Sequence, residues 1–581
     1  MGFFKSHRRA VLVMLAVSVL AGADFLYFLK TSKAAFAAEA RAAVKEFVNP
    51  SRLSSRSGQT KGPADARQTV YVDGAVGAMP DRLEGHDVKA WYETAGGSVF
   101  CDYTTGFSVS LPAGMTPDIT KSPAFVSFNS PNAKVAVSRE WTYDKDVSGY
   151  IGTYFFSYLL DGSYRSKNGI ELLKRTKNND VERLTVRLNG CPGKFDTYTY
   201  LIFKTDSQSF YYAMLKYSHE NRDADRLVRR VFTSFRYFMP EGAAKYTTDF
   251  RPVIPDNWNP DTRALYNKLR SAGRPTWGIF TKDVTTAGIA ETIPALEKRL
   301  DYKFGIILAY TGLDGAFPTE FMQRCSEEGR IVELTLQTTE RDNLDLYEHS
   351  PWLELYKSGD DARIRAFARA ARAFGKPFLF RLNNEMNSNW VIYGGVLNLL
   401  DPDIFVENWR TVYRIFQEEG VDNAIWIFNP NDRDAPPHVW NSQAAYYPGN
   451  GYVQIYGITG YNNGTYYQET TREGWREFDE IYSRIQQDSG GLFGAFPWMI
   501  TEFASSSIGG DKAKWIDGMF DNIGKYPNIK AAVWFSYADY DPSKKGTVSR
   551  PYWLDETDAT VEAFKRGLAG LCKMKNTRLR S

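Results

Sequence analysis

The sequence predicts an α/β protein in which a (β/α)8 TIM barrel is preceded by a smaller α+β domain with an antiparallel sheet. Three observations carry this prediction. From Thr276 onward, eight short apolar runs alternate with amphipathic segments. Between residues 68 and 245, short strand-like runs are instead separated by turn formers. The chain has 581 residues, 43% apolar and 24% charged, enough for two or three domains with buried cores.

The first segment, residues 1–37, has the order of a signal peptide or membrane anchor. Lys5, Arg8 and Arg9 precede an apolar run from Ala10 to Leu29, and Ala35-Phe36-Ala37 offers a cleavage site. Cleaved signal and retained anchor both fit, so the working part is expected to be secreted or extracytoplasmic, with residues 10–29 as a membrane tether in the second case. Residues 38–67 read as a linker, because Ser, Arg, Gly and Gln dominate the stretch from Ser51 and no apolar period appears. In an oxidising setting Cys101 and Cys191 are candidates for a disulfide.

Residues 68–245 form the α+β accessory domain. Phe107–Leu111 alternates and is stopped by Pro112; Phe125–Phe128, Val135–Val137, Leu184–Leu188, Tyr198–Ile202 and Phe210–Tyr217 follow as strands. Asp223–Phe235 reads as a closing helix through Val228, Val231 and Phe232. No catalytic constellation occurs here, so a spacer or a binding module is expected, separable from turnover on small substrates.

The barrel is expected over 252–575. Its strands are Thr276–Phe280, Phe304–Tyr310, Ile331–Leu336, Pro377–Leu382, Ala424–Phe428, Val453–Ile458, Trp498–Ile500 and Ala531–Phe535. Helical segments between them include Asp361–Phe374, Phe405–Glu419, Trp475–Gln487 and Lys512–Ile523.

Several chemistries are disfavoured. With 71 basic and 68 acidic residues, bulk charge does not advertise a nucleic-acid partner. The five histidines share no ligand spacing and the four cysteines form no CxxC pair, so no metal site is expected. No phosphate-binding or dinucleotide fingerprint appears, and no cofactor is expected. Carboxylates remain. In a (β/α)8 barrel the reacting groups lie past the C-terminal strand ends. Arg381, Asn384, Glu385 and Trp390 follow or end the fourth run; Tyr461 follows the sixth, Glu502 the seventh, and Trp534 ends the eighth. Two carboxyls facing one sugar are what glycosidic cleavage requires: one protonates the leaving oxygen, and the other attacks the anomeric carbon.

The motifs behind these residues resemble a known family. "FLFRLNNEMNSNW" (Phe378–Trp390), "WIFNPND" (Trp426–Asp432), "YYPGNGYVQIYGITGYN" (Tyr446–Asn462) and "FPWMITEFASS" (Phe496–Ser506) look like successive segments of glycoside hydrolase family 26. The resemblance spans about Thr276 to Tyr537 and implies a retaining, clan A glycosidase acting on a β-linked polysaccharide: mannan, glucan or an exopolysaccharide. Glu385 would be the acid/base, Glu502 the nucleophile, Tyr461 a hydrogen-bond donor to the nucleophile, and Trp534 the floor of the sugar site. Asn384 would bind the sugar 2-hydroxyl, as in the wider clan, with Arg381 and Trp390 flanking the pair. Two departures separate this chain from the family's mannanases. The family's mannanases carry His where this chain has Asn384, and a second His in a stretch that here, Leu334–Thr339, has none. They also motivate the alternative, a non-catalytic glycan-binding or scaffold protein on a glycosidase barrel. In the first domain, "YTTGFSVSLP" (Tyr103–Pro112) and the closing helix resemble a PsbP/Mog1-like fold.

Overall fold

In the computed structural model, which describes residues 66–578 apart from 144–145, 179, 249 and 341–345, eight parallel strands close into a barrel. They are β1 (Thr276–Thr281), β2 (Ile306–Thr311), β3 (Ile331–Leu336), β4 (Phe378–Leu382), β5 (Ala424–Phe428), β6 (Ile455–Thr459), β7 (Trp498–Phe503) and β8 (Ile529–Ser536), and β8 pairs back onto β1. Both faces of each strand are covered, which is why the runs read as continuously apolar. Ile306, Leu308, Leu379, Ile425, Ile427, Met499, Ala531 and Val533 fill the interior. Their neighbours Ile307, Phe380, Trp426, Ile500, Ala532 and Trp534 pack outward under the helices.

Local signals set the helices. Asp361 caps Ala362–Phe374, and Gly375 closes it at φ 69°. Asp401 caps Pro402–Glu418, which has Pro402 in its first turn.

Along β7 the alternation is interrupted. Ile500 packs outward, yet Phe503, three residues later, is again in the outer layer. The pairing register with β8 slips between Ile500 and Phe503. A bulge of this kind adds one residue and re-aims the next side chain. Glu502 thereby turns into the barrel mouth, where Arg381 meets it.

The N-terminal region consists of two antiparallel sheets, six- and seven-stranded. They face each other around Phe100, Phe128, Leu201, Phe203 and Phe235, with helix Ala224–Ser234 packed through Leu227, Val228 and Val231. Arg67, placed by sequence in the linker, already pairs with Glu93. The far face of the seven-stranded sheet's central strands does not meet solvent. Tyr200, Ile202, Tyr212 and Met214 join the same core as Leu397, Leu400 and Trp440 of the barrel. Strand Ser209–Tyr217 is buried along its whole length, which explains why Phe210–Tyr217 lacks alternation.

This contact corrects the expectation of a separable spacer. Each large apolar side chain buried in it contributes about 1.5–3 kcal/mol, so deleting the sheet would strip one flank of the barrel. A second correction concerns the cysteines. Cys101 and Cys191 are buried, separate thiols. Cys101 sits in a small cluster with Val88, Ala90 and Tyr92, whereas Cys191 belongs to the core shared with the barrel. The apolar segment at 10–29 lies outside the described residues. Among the described residues no helix is long and apolar enough to cross a membrane.

Candidate active site

The loop after β4 carries Glu385. Its backbone adopts a left-handed conformation at Asn383 (φ 53°) and Glu385 (φ 57°). Such φ values are uncommon for residues other than glycine and persist where the surroundings over-determine them. Here the Glu385 N–H donates to the Asn429 carbonyl at 2.8 Å, and the Asn383 side chain accepts the Thr338 N–H at 2.8 Å. The loop is therefore pinned to those after β5 and β3.

Glu385 Oε2 accepts from the Trp390 indole at 3.2 Å and lies 3.4 Å from the Asn384 amide nitrogen. Its other oxygen accepts from Asn431. Burial pushes the carboxyl up to about 7, the nearby Glu502 adds to this, and the Trp390 and Asn431 donors oppose it. Desolvation wins, so Glu385 holds its proton near neutrality.

Glu502 has different company. Arg381 donates to Oε1 at 2.6 Å, and the Tyr461 hydroxyl donates to Oε2 at 3.0 Å. Burial and the Glu502 charge hold the Tyr461 hydroxyl well above its ordinary range, so it stays a donor. The Asn384 amide nitrogen is 3.5 Å from Glu502 Oε1 and 3.4 Å from Glu385 Oε2, so those two oxygens are at most about 7 Å apart, within reach of one sugar ring.

Asn384 is itself oriented. Gln337 and the Tyr393 hydroxyl both donate to its side-chain oxygen at 2.9 Å, which leaves its NH2 facing the carboxyls. Gln337 lies in the stretch where the sequence shows no histidine.

The structure thus brings together Glu385, Glu502, Asn384, Arg381, Trp390 and Tyr461. Trp390 is half exposed on the rim. Trp534 does not join them. It is fully buried, packs on Phe503, Trp515 and Phe564, and donates its indole N–H to the Tyr552 carbonyl. Ala531 and Val533 face the barrel interior, so Trp534 faces the helices and cannot floor the sugar site. Its neighbour Phe535 faces the mouth instead, stacked on Phe280 with centroids 4.6 Å apart and edge-on to Tyr461.

Sequence reasoning passed over Asn431, Gln337, Phe535 and Glu333. The first two lie just past β5 and β3, the positional signal that singled out Glu385. Glu333 gave no such signal, because it lies within β3. It is fully buried beneath Arg381, with Arg381 Nε 3.3 Å from Glu333 Oε1. Burial pushes its carboxyl up to about 8 against the pull of Arg381.

Residues 362–483 match the family model described as Glycosyl hydrolase family 26. This segment holds the Glu385 loop, β5, β6 and Tyr461. Over 213 residues the chain is 32% identical to Endoglucanase H of Acetivibrio thermocellus, covering 36% of this chain and 22% of that protein. Over 98 residues it is 32% identical to Mannan endo-1,4-beta-mannosidase of Bacillus subtilis, covering 16% of this chain and 25% of that one. The chain thus spans a quarter or less of these curated relatives. A family 26 β-mannanase structure from Bacteroides ovatus overlays with a TM-score of 0.41 and 15% identity, covering 53% of this chain and 93% of that one. Residues 362–483 are thus similar to glycoside hydrolase family 26.

Proposed function

We propose that this chain is a retaining hydrolase of a β-linked glucan or mannan, with Glu385 as acid/base and Glu502 as nucleophile. The observation that carries the reading is the pair of carboxyls spanned by one Asn384 amide, one of them held protonated by burial and the other bound by Arg381 and Tyr461.

In the first step a Glu502 oxygen attacks the anomeric carbon, and the bond to the leaving oxygen breaks. Glu385 gives its proton to that oxygen, so a glycosyl ester and a shortened glycan result. Esterification removes the Glu502 charge that helps keep Glu385 protonated. The carboxyl of Glu385 then becomes more acidic, as its second task demands. In the second step Glu385 takes a proton from water, the water oxygen attacks the anomeric carbon, and the ester bond to Glu502 breaks. Configuration is retained over the two displacements. Phe280 and Phe535 offer apolar faces to the sugar, and Trp390 forms the rim beside the leaving group.

The names of the two curated relatives motivate glucan and mannan as first substrates. Residues 68–245 are taken as an accessory domain, and residues 10–29 as a secretory or anchoring segment that sends the barrel outside the cytoplasm. The test is release of reducing ends from β-1,4-glucan, mixed-linkage β-glucan and β-1,4-mannan, with the product anomer followed by NMR. Activity that vanishes in Glu502→Ala, with the β-anomer released first, supports the reading. Absence of release from any β-glycan, or an inverted anomer, overturns it.

A further inference from the structure

Resting on the reading of Glu385 as the acid, we propose that the N-terminal sheet is a positioning element of the active site. It holds the acid-bearing loop through a row of tyrosine hydroxyls.

The loop that begins at Asn383 runs to Asp401, where the next helix is capped. Its far end is unusual. Leu399 and Leu400 are consecutive residues in the left-handed region, at φ 59° and 53°. L-residues with branched side chains rarely take this conformation singly, and a pair needs outside support. The support comes from another part of the chain. Tyr164 donates to the Leu397 carbonyl, Tyr200 to Leu399 at 2.7 Å and Tyr212 to Leu400 at 3.2 Å. Lys216, on the same strand as Tyr212, bonds Asp401 at 2.8 Å and Asp403 at 2.7 Å. All four side chains are buried. Three carbonyls and the helix cap are thus held by one sheet face and the helix beside it.

The grip reaches the carboxyl by two routes. Within the loop, Asn398 binds the carbonyls of Ile392 at 3.0 Å and Gly394 at 2.6 Å. Between them Tyr393 reaches back to Asn384, the residue before the acid. The second route starts at Glu140 on the same sheet. Its buried carboxylate accepts the Val439 N–H at 2.9 Å and the Trp440 N–H at 3.3 Å. Asn441 then donates to the Asn387 carbonyl at 2.8 Å, and Asn387 accepts the Asn431 N–H at 2.8 Å. Asn431 is the donor on Glu385. The loops after β4 and β5, which together surround the acid, are therefore both fastened to the N-terminal sheet.

A sheet that served only as a spacer would not need hydroxyls aimed at carbonyls of the catalytic loop. The role assigned here is mechanical. It keeps Glu385 dry and within reach of the leaving oxygen. Proton transfer depends steeply on such placement.

The test compares the full chain with Tyr200→Phe/Tyr212→Phe, which removes two hydroxyls and keeps both rings. Tyr212→Phe alone serves if the double variant does not fold. Two readouts are taken. Hydrogen exchange should rise in residues 383–401 while the barrel strands stay protected. On the sugar class that the wild type cleaves, kcat for the polysaccharide should fall about tenfold, with KM little changed. For dinitrophenyl glycosides, whose departure needs no acid, kcat/KM, which reports the first step alone, should stay as in the wild type. The alkaline limb of kcat/KM should also move to lower pH, because a loosened loop admits water to Glu385. Unchanged exchange, or equal losses on both kinds of leaving group, would overturn the proposal. Exchange tests the anchoring without turnover, so a wild type inert on every glycan overturns the functional reading and leaves the anchoring measurable.

Discussion

Arg381 Nε stands 3.3 Å from Glu333 Oε1, and both side chains are sealed inside the barrel. The same guanidinium bonds Glu502 at 2.6 Å. One cation thus faces two carboxyls, and burial decides between them. Among the described residues Glu333 has no hydrogen-bond partner for either oxygen, and burial pushes it up to about 8 against the pull of Arg381.

A stability prediction follows from Glu333. Its folded value lies above its unfolded one, so its contribution is fully present below about pH 4.5 and is lost as pH rises toward 8. Glu333→Gln cannot ionise and escapes that loss. Its melting temperature relative to wild type is expected to climb between pH 5 and 8, read by calorimetry at several pH values. A relative stability that falls over this range would show that Glu333 is ionised in the fold.

Activity should follow the protonation of Glu385. The acid is competent below its value of about 7, so kcat/KM is expected to fall as pH rises through that point. Glu385→Gln should lose about 10²–10⁴-fold in kcat/KM on polysaccharide, much less in kcat/KM on dinitrophenyl glycosides, and should lack the alkaline limb. Initial rates across pH 5–9 check both parts.

Trp390 lowers the Glu385 value by donating its indole N–H. Trp390→Phe keeps an aromatic rim and removes the donor. The alkaline limb should therefore move to higher pH, opposite to the direction expected when the tyrosine anchors are cut. A pH–rate profile of the two variants side by side separates the effects.

Tyr461 and Glu502 share a charge-assisted hydrogen bond of 3.0 Å. Such bonds contribute about 1.5–3 kcal/mol. Tyr461→Phe is expected to lower kcat by roughly ten- to a hundredfold while the protein melts close to the wild type. Single-turnover kinetics should locate the loss in formation of the glycosyl ester.

Trp534 and Phe535 should behave oppositely despite being neighbours. Trp534→Ala empties a site between barrel and helices and should cost about 3–5 kcal/mol of stability, leaving KM unchanged in the folded fraction. Phe535→Ala should raise KM with a smaller loss of stability. Denaturant melts paired with Michaelis kinetics check both.

The amino-acid sequence by itself determined where the eight barrel strands lie, while N-terminal strands such as Val88–Thr94 and Ile170–Lys177 went unread. Ile331–Leu336 and Ala424–Phe428 were legible to the residue, because apolar runs, caps such as Asp361 and stops such as Gly375 act over a few neighbouring residues. It also placed Glu385 and Asn384 past β4 and Tyr461 past β6, since position after a strand is a local property. The tertiary structure alone decided which way side chains point and what surrounds them. A single bulge turns Glu502 into the mouth, and strand parity sends Trp534 outward and Phe535 inward, because side chains of a strand change face with every residue. The burial that raises Glu385 and Glu333, and the sheet that grips Leu397–Asp401, come from segments far apart in the chain. Desolvation and long-range hydrogen bonds depend on which of those segments meet, and no local pattern in the sequence records that.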